Sequence, residues 1–290
     1  MTSAFTANDL VSSERITTES VRRVLQRIGA GNAAIVVIDE FDRLKSSIRR
    51  AFGDLVKTLS DHAVPATVVL VGVADSIDDL IEGHESVGRA TVQIQMPRMK
   101  PDEIREILYT GVQRLQMTID ADAVARIVLL SQGLPHYAHL VARHAARAAT
   151  DRKSRQITLA CMNDAISKGI DDAQHTIRQA YHNAIRSPQK GNLFANVLLS
   201  CALARQNEIG EFSAPDVRET MRRVTGKDYE IPSFAQHLKE FSDTKRGNIL
   251  RKIGQARRFR YRFSDPLMQP YVIMQGLATG QIDERAFSTT

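Results

Sequence analysis

The fold is decided by the stretch Ile35-Val-Val-Ile-Asp39-Glu40-Phe-Asp42-Arg43. A continuous apolar run without polar alternation is typical of a strand that is buried on both faces, as in a parallel sheet. Two acidic residues, Asp39 and Glu40, follow at the carboxyl end of this strand, which is the edge where parallel sheets bind their ligands. The stretch therefore predicts a parallel α/β sheet with a candidate site at its edge. The alternative is that the acidic pair only ends a strand and caps the next helix.

The segments around this strand alternate between helix and strand patterns. Apolar residues at helical spacing predict a helix before it, over Thr17–Gly29, and another after it, up to Leu59. A second β-branched run, Thr67–Gly72, predicts the next strand, and a short helix leads to a third strand over Thr91–Gln95. Strands that alternate with helices indicate a parallel α/β domain, which we place at residues 1–97.

The middle of the chain is predicted to be helical. Pro101-Asp-Glu opens a helix with a proline at its first position and acidic residues in its first turn, both of which favour a helix start. Further helices are predicted over Ala121–Ser131, Pro135–Ala149 and Leu159–Gly169. These segments form a second domain, a helical lid over residues 98–172.

The last part, residues 173–290, predicts three helices followed by a hairpin. The sequence Ser213-Ala-Pro-Asp216 has the form of a capping box, which starts the second of these helices. Two short strands, Ile249–Ile253 and Phe259–Phe263, then form the hairpin. This order predicts a winged helix-turn-helix, so the fold class is α/β plus all-α: a partial parallel sheet, a helical lid and a C-terminal winged helix.

Positive charge is concentrated in the predicted hairpin. The net charge is +6, and between Lys245 and Arg262 there are eight Lys and Arg residues and no Asp or Glu. In Arg257-Arg-Phe-Arg-Tyr-Arg-Phe263 the aromatic residues alternate with arginines, so they lie on opposite faces of a strand. A basic face of this kind indicates contacts with DNA phosphates. The candidate DNA-binding residues are Lys239, Arg251, Lys252, Arg258, Arg260 and Arg262. A solvated strand, or one that meets an acidic protein, is the alternative.

Composition is that of an ordinary soluble globular protein, with 43% hydrophobic and 25% charged residues. The longest apolar runs are far too short to span a bilayer, so no membrane partner is expected. The N-terminal MTSAFTANDL lacks the features of a signal peptide, and we expect a cytoplasmic protein. Cys161 and Cys201 lie inside helical patterns and are expected to be reduced and buried.

Four motifs together resemble the AAA+ ATPases, in particular their initiator-like branch related to origin-recognition proteins. The first is Ile35–Arg43, which has the Walker B pattern of an apolar strand followed by Asp-Glu. The others, in family order and spacing, are Val68–Ser76, His84–Arg89 and Gly133–His136. The resemblance extends from about residue 20 to 277 and implies an ATPase with a lid and a winged helix.

The resemblance also implies roles for individual residues. Asp39 would hold Mg²⁺ through water, and Glu40 would orient the attacking water. Asp75 and Ser76 lie in the segment that normally contacts the γ-phosphate, although Ala74 stands where related proteins place Asn. The segment after Gly133 usually carries an arginine that contacts phosphate, and here the residue is His136, which alternatively packs within the fold.

Arg89 lies where the family often keeps its arginine finger. Such a residue acts on the nucleotide of a neighbouring subunit, which implies self-association. A surface arginine that ends a loop is the alternative.

A phosphate-binding loop is missing from the sequence. That loop needs Gly-x-x-x-x-Gly-Lys-Ser/Thr, and the only Gly-Lys pair, Gly226-Lys227, is followed by Asp228 and preceded at the required position by Met221. We therefore expect a truncated reading frame, a cloned fragment, or a chain completed by a partner. ATP and Mg²⁺ are implied only if the loop is supplied from elsewhere, and the chain by itself is expected to be inactive.

Two functions remain open at this point. The first is an AAA+ ATPase segment that couples ATP binding and hydrolysis to the binding of DNA or a protein partner. The second is a regulator that hydrolyses nothing and uses a degenerate ATPase fold to carry a DNA-binding or protein-binding module.

Overall fold

The computed structural model describes residues 16–31, 33–72, 81, 89–189, 191–254 and 258–282. The chain forms two compact units, Met1–Gln95 and Met96–Thr290. The fold is mixed α/β and rich in helix, with small parallel sheets, in agreement with the predicted combination of α/β and all-α parts.

The first unit contains two strands and two helices among its described residues. Their bounds are α1 Thr18–Gly29, β1 Ala34–Ile38, α2 Ser46–Asp61 and β2 Ala66–Leu70. The two strands pair in parallel, with Ala34 opposite Ala66 and Ile38 opposite Leu70. This confirms the parallel arrangement predicted from the apolar run.

The start of α1 follows from its sequence. Thr17 caps the helix, because its hydroxyl accepts a hydrogen bond from the Ser20 amide at 3.1 Å, and the Ser20 hydroxyl accepts one from the Thr17 amide at 2.9 Å. This reciprocal capping satisfies two of the amides that a helix start leaves without partners.

The two faces of the sheet differ in burial. One face packs on α1 and α2 through a cluster of apolar residues: Leu25, Leu55, Leu59, Val64, Val36, Ala66 and Val68. On the other face, Ile35 and Val37 of β1 are 69% and 61% exposed, and Val69 and Val71 are also exposed. Parallel sheets normally bury both faces, so this sheet is covered on one side only by the residues described.

The prediction of a third strand is wrong. Thr91–Gln95 forms no strand in the structure, and Val92, Ile94 and Met96 are 89%, 80% and 86% exposed. The alternation of apolar residues is present, but a strand also requires a hydrogen-bonded neighbour. Among the described residues, no strand pairs with this segment.

The second unit is a helical body with two small sheets. Its elements are α3 Pro101–Arg114, β3 Thr118–Ile119, α4 Ala121–Ser131, α5 Pro135–Asp151, β4 Gln156–Ile157, α6 Ala160–Asp171, α7 His175–Ile185, α8 Phe194–Leu203, β5 Phe212–Ser213, α9 Ala214–Thr225, α10 Ile231–Phe241, β6 Leu250–Ile253, β7 Arg260–Phe263 and α11 Met268–Ala278. Strands β3 and β4 pair in parallel. The helices α7 and α11 were not predicted from the sequence.

One hydrophobic core runs through the second unit. It includes residues from the lid segment, such as Ile104 and Ile127, and residues from the C-terminal segment, such as Phe234 and Tyr271. Helix α11 packs against both segments, and Tyr271 meets Tyr181 of α7 edge to face, with ring centroids 5.5 Å apart. The segments 98–172 and 173–290 therefore share one hydrophobic core. Cys161 and Cys201 are free and buried within it, as predicted.

The predicted hairpin is present and gains a third strand. β6 and β7 are antiparallel, and β5 pairs with the other edge of β7, so the order is β5-β7-β6. The preceding capping box is confirmed, since the Ser213 amide donates to the Asp216 carboxylate at 2.8 Å. The observed order is helix, strand, helix, helix and hairpin.

The loop before α5 requires a glycine. Gly133 has a φ of +73°, and its carbonyl accepts a hydrogen bond from the Met99 amide at 3.0 Å. A Cβ atom added to Gly133 would lie 2.6 Å from the Met99 carbonyl oxygen and 2.9 Å from the Arg98 Cβ. The residues that enter α3 therefore pack closely against this loop.

We expect Gly133→Ala to destabilise the protein more than Gly226→Ala. Gly226 ends α9 with a φ of +69° and has open space around it, so alanine there costs only the left-handed conformation, roughly 1–2 kcal/mol. Gly133→Ala adds overlap with backbone atoms, on the order of 1–3 kcal/mol more. Urea denaturation followed by circular dichroism measures the difference. Equal losses in the two variants would contradict the close packing at Gly133.

Candidate functional site

The acidic pair lies at the open edge of the first sheet. Asp39 and Glu40 directly follow β1 and are both exposed. The next residue, Phe41, is fully buried, and its amide donates a hydrogen bond to the Val71 carbonyl, just beyond β2, at 2.9 Å. Phe41 also meets Phe52 of α2 edge to face, with centroids 5.3 Å apart. This anchor holds the pair at the sheet edge and leaves both carboxylates accessible.

Glu40 has an unusual backbone conformation. Its φ of 53° and ψ of 35° lie in the left-handed region, which non-glycine residues rarely occupy. Asp39 supports this turn, because its Oδ1 accepts a hydrogen bond from the Glu40 amide at 2.8 Å. The Glu40 carboxylate lies 3.2 Å from the Arg43 guanidinium, but both groups are exposed, so the pair adds little stability. A glutamate held in a strained conformation is a feature often associated with functional sites.

The other predicted nucleotide-site residues are not brought together by the described structure. Asp75 and Ser76 lie outside the described residues. Arg89 is exposed. His136 belongs to the second unit, where it is exposed in the first turn of α5 with its ring centroid 5.5 Å from that of Tyr137.

The basic hairpin places two arginines directly opposite each other. Arg251 of β6 pairs in register with Arg262 of β7. Like charges that face each other across a strand pair destabilise it. On the other side of the hairpin Tyr261 and Phe263 are buried, so the predicted alternation of aromatic and arginine faces is present.

The remaining candidate DNA contacts lie in different environments. Arg258 precedes β7 and is exposed, as is Lys239 on α10. Lys252 lies on the aromatic side, with its Nζ 3.5 Å from the centre of the Phe259 ring. Arg260 pairs with Glu211, at 3.3 Å from its carboxylate, and also donates to the Glu211 carbonyl at 3.0 Å.

In the part of the chain that is described, no group of three or more His, Cys, Asp or Glu side chains could hold a metal ion. Within those same residues, no helix has both the length and the apolar character needed to cross a membrane.

Comparison with protein-family models decides the family of the first unit. The model for the ATPase family associated with various cellular activities, AAA, matches residues 4–98, which include the buried strand and the acidic pair. This similarity to the AAA ATPase family covers residues 4–98. The predicted resemblance is thereby confirmed at the level of the family, and we call this part of the chain the AAA segment. No curated protein matches the sequence.

Several solved structures share a distant likeness with the chain. Cdc6p from Pyrobaculum aerophilum is 13% identical, with 94% of this chain and 74% of that one covered and a TM-score of 0.44. The Aeropyrum pernix ORC2 protein is 13% identical, with 90% and 70% covered and a TM-score of 0.43. The Thermotoga maritima RuvB Holliday junction branch migration motor is 14% identical, with 87% and 74% covered and a TM-score of 0.42. At such scores, these likenesses carry no argument about fold or function.

The AAA segment contains only part of what ATP requires. The exposed Asp39 carboxylate has the oxygen chemistry that Mg²⁺ prefers. The phosphates of ATP need a glycine-rich loop with a lysine, and the sequence contains none. The residues present therefore fit the metal side of a nucleotide site but not its phosphate side.

Sequence reasoning misplaced two cations, Lys245 and Arg246, and missed another. Arg246, expected on the hairpin, belongs instead to a short 3-10 turn, Thr244–Arg246. Its guanidinium donates to the carbonyls of Ala184 and Arg186 at 2.7 and 2.8 Å and lies 3.3 Å above the Phe194 ring. Its role in packing could not be read from charge alone, because its partners are distant in sequence.

The missed residue is Arg98, the last residue of the AAA segment, which lies just before α3. Burial, with the positive charge of Arg262 as a second cause, lowers the pKa of Arg98 to about 10. Its signal in the sequence is only a charged residue between Pro97 and Met99, which does not predict burial.

We expect Glu40→Gly to be more stable than Glu40→Ala. Glycine adopts the left-handed conformation freely, whereas alanine pays roughly 1–2 kcal/mol for it. Both variants remove the carboxylate, so the difference isolates the backbone. The difference in stability is measured by urea denaturation. Unfolding of the first unit is followed by the fluorescence of a dye attached at an engineered Ser60→Cys. If the alanine variant were as stable as the glycine variant, Glu40 would not be strained.

Proposed function

We propose that this chain is the acid-bearing part of an AAA-type ATPase of the initiator-like branch, in which ATP binding and hydrolysis are coupled to the binding of DNA or a protein partner. The observation that carries the proposal is the exposed Asp39–Glu40 pair at the carboxyl end of a parallel strand, within a segment that matches the AAA family. The strained backbone of Glu40 supports a functional role for its carboxylate.

In the proposed site Asp39 holds Mg²⁺ through water and Glu40 orients the attacking water, once a phosphate-binding loop is supplied. Asp75, Ser76 and His136 are the candidates for contacts with the phosphates. Arg89 is the candidate for a residue that acts on a neighbouring subunit, which would make self-association part of the mechanism. We further propose a cytoplasmic location.

The phosphate-binding loop must come from a polypeptide segment outside these 290 residues. The sheet face around Ile35 and Val37, which the described residues leave exposed, supports this requirement, because a complete AAA sheet is expected to be covered on both faces. The exposed Val92 and Ile94, which lie in no strand, support it as well. We therefore propose that the chain is catalytically silent by itself and active only in a completed assembly.

The test is ATP turnover by the native assembly, isolated through a tag on this chain in its own host. We expect Glu40→Gln to lower turnover by at least a hundredfold while bound nucleotide is retained, because general-base and water-positioning contributions are typically of that size. The purified 290-residue chain should show no turnover.

The matched control for this experiment is Glu106→Gln, which changes the same chemical group at an exposed position of α3. It should turn over ATP like the unaltered assembly. Undiminished turnover by Glu40→Gln would remove Glu40 from the mechanism, and turnover by the isolated chain would remove the need for an outside loop.

A second candidate is a regulator that hydrolyses no ATP and binds DNA through the C-terminal segment. It is favoured by the basic hairpin and by the order helix, strand, helix, helix and hairpin, which we propose to be a winged helix-turn-helix. The exposed Lys239 and Arg258, together with Arg251, Lys252 and Arg262, are the proposed phosphate contacts. We give Arg260 a structural role, because Glu211 holds it. Steady ATP turnover by the native assembly would exclude this second candidate.

We expect the double variant Arg251→Glu, Arg258→Glu to lose retention on duplex DNA at low salt. Both residues are exposed, so the fold should survive the change. For the unaltered chain, log affinity should fall with log salt concentration, with a slope of about 0.9 for each phosphate contact. Fluorescence anisotropy with a duplex of arbitrary sequence measures both quantities.

The control for DNA binding is Arg147→Glu, a charge reversal at an exposed position of α5. It should bind the duplex within about threefold of the unaltered chain. If the hairpin variant binds as tightly as this control, the hairpin is not the DNA-binding surface.

A further inference from the structure

Helix α10 has one buried side and one exposed side. Phe234, Leu238 and Phe241 are buried, whereas Gln236 and Lys239 are exposed. In a helix-turn-helix, the second helix lies in the major groove of DNA and its side chains contact base edges. In the proposed winged helix-turn-helix this helix is α10, so its exposed side is where contacts with bases are expected.

A chain of polar contacts holds the side chain of Gln236 on this exposed side. The Gln236 Nε2 donates a hydrogen bond at 3.2 Å to Oε1 of Glu240, one helical turn further along α10. The other oxygen of Glu240, Oε2, accepts a hydrogen bond from the Arg246 Nε at 3.0 Å. Because both oxygens are engaged, the Glu240 carboxylate has a defined orientation.

Arg246 anchors this chain of contacts in the fold. Its side chain is only 14% exposed, and its Nη1 donates to the carbonyls of Ala184 and Arg186 at 2.7 and 2.8 Å. The guanidinium also lies 3.3 Å above the centre of the Phe194 ring. The orientation of Glu240 therefore depends on groups within the fold and not only on its exposed neighbour in α10.

The charge of Glu240 decides which end of the Gln236 amide faces it. The hydrogen bond from Arg246 is the first cause that lowers the pKa of Glu240, and the bond from Gln236 lowers it further. Glu240 is therefore ionised at neutral pH, and an ionised carboxylate only accepts hydrogen bonds. Gln236 must then turn its Nε2 towards Glu240 and its Oε1 away.

The rest of the Gln236 amide is available to a ligand. In the part of the chain that the structure describes, its bond to Glu240 is its only hydrogen bond. One acceptor, Oε1, and the second N–H of Nε2 remain. In the major groove adenine presents the amino group at N6 as donor and N7 as acceptor, whereas guanine presents two acceptors. The groups that remain on Gln236 match adenine and not guanine.

The surroundings of Gln236 also suit DNA. A cavity of about 230 Å³ is lined by Gln236, Glu240, Asp243 and two lysines, Lys239 and Lys245. The lysines can contact phosphates on either side of a base. The acidic groups are already engaged, Glu240 by Arg246 and Asp243 by the Lys245 amide at 3.1 Å. They therefore oppose an approaching phosphate less than free carboxylates would.

We propose that Gln236 selects adenine in the major groove of DNA through two hydrogen bonds, and that Glu240, held by Arg246, is the positioning residue that orients its amide. This inference rests on the proposed DNA binding and deepens it by naming the base that is selected. The phosphate contacts of the hairpin are independent of sequence, so the preference is confined to the base pair that Gln236 meets.

The experiment is a selection by the full 290-residue chain from a library of duplexes with a randomised centre. Sequencing of the retained duplexes should show one position at which adenine is enriched. Fluorescence anisotropy then compares the enriched duplex with duplexes that carry each other base pair at that position. We expect adenine to be bound at least about fivefold more tightly than guanine there.

Replacement of the reading residue separates base selection from general DNA binding. Gln236→Ala should lose the preference for adenine at that position while it retains unselected duplexes within about threefold of the unaltered chain, because the phosphate contacts remain. The matched control is Gln113→Ala, which removes the same amide from an exposed position of α3 and should keep the preference.

Replacement of the positioning residue tests the orientation of the amide. Glu240→Gln keeps the shape of the side chain and an acceptor for Arg246, but its own amide both donates and accepts, so it no longer selects one end of the Gln236 amide. The preference for adenine should fall while retention of unselected duplexes stays within about threefold, which a merely structural role would not produce. Glu106→Gln, at an exposed position of α3, is the control for the loss of one carboxylate.

The outcomes distinguish this inference from the proposal on which it rests. Retention of duplexes without enrichment of adenine would overturn base selection and leave DNA binding intact. An adenine preference that persists in Gln236→Ala would overturn the role of Gln236, and one that persists in Glu240→Gln would overturn the role of Glu240. Failure of the unaltered chain to retain any duplex would overturn the DNA-binding proposal and base selection together.

Discussion

The parallel pairing of β1 with β2 is the constraint on which the acidic site depends. The ladder from Ala34 to Ile38 ends where the Phe41 amide reaches the Val71 carbonyl, so the chain must turn within two residues. Asp39 and Glu40 occupy that turn, and the buried Phe41 ring fixes its far end. Glu40 adopts its left-handed backbone within this turn, between the end of the strand ladder and the buried Phe41 ring.

The same sheet explains why the site is incomplete. Full burial of a side chain such as Ile35 or Val37 stabilises a fold by about 1.5–3 kcal/mol. The exposed face of this sheet does not gain that stabilisation from the described residues. The apolar residues of β1 are typical of a parallel strand that is buried on both faces. The composition of β1 therefore matches a larger sheet than the described residues form, which agrees with the missing phosphate-binding loop.

Local signals in the sequence predicted the parts of the fold that depend on local physics. Thr17 and Ser213 start helices because capping is decided within four residues, and the hairpin faces follow from strict alternation. Thr91–Gln95 has the same strand-like alternation but forms no strand among the described residues, because alternation does not by itself supply a paired strand. Glu40 and Asp39 could be found from their pattern, whereas the environments of Arg98 and Arg246 depend on Gln269, Ala184 and other partners far away in the sequence.

The arginines of the second unit show how neighbours assign different roles to one residue type. Arg246 and Arg260 each pair with a carboxylate and donate to backbone carbonyls, so groups within the fold compensate their charge. Arg251 instead faces another arginine from an exposed position, and Arg98 is buried against neutral oxygens. The groups that hold Arg246 and Arg260 are distant from them in sequence, so the composition of this region does not by itself reveal which of its arginines serve the fold.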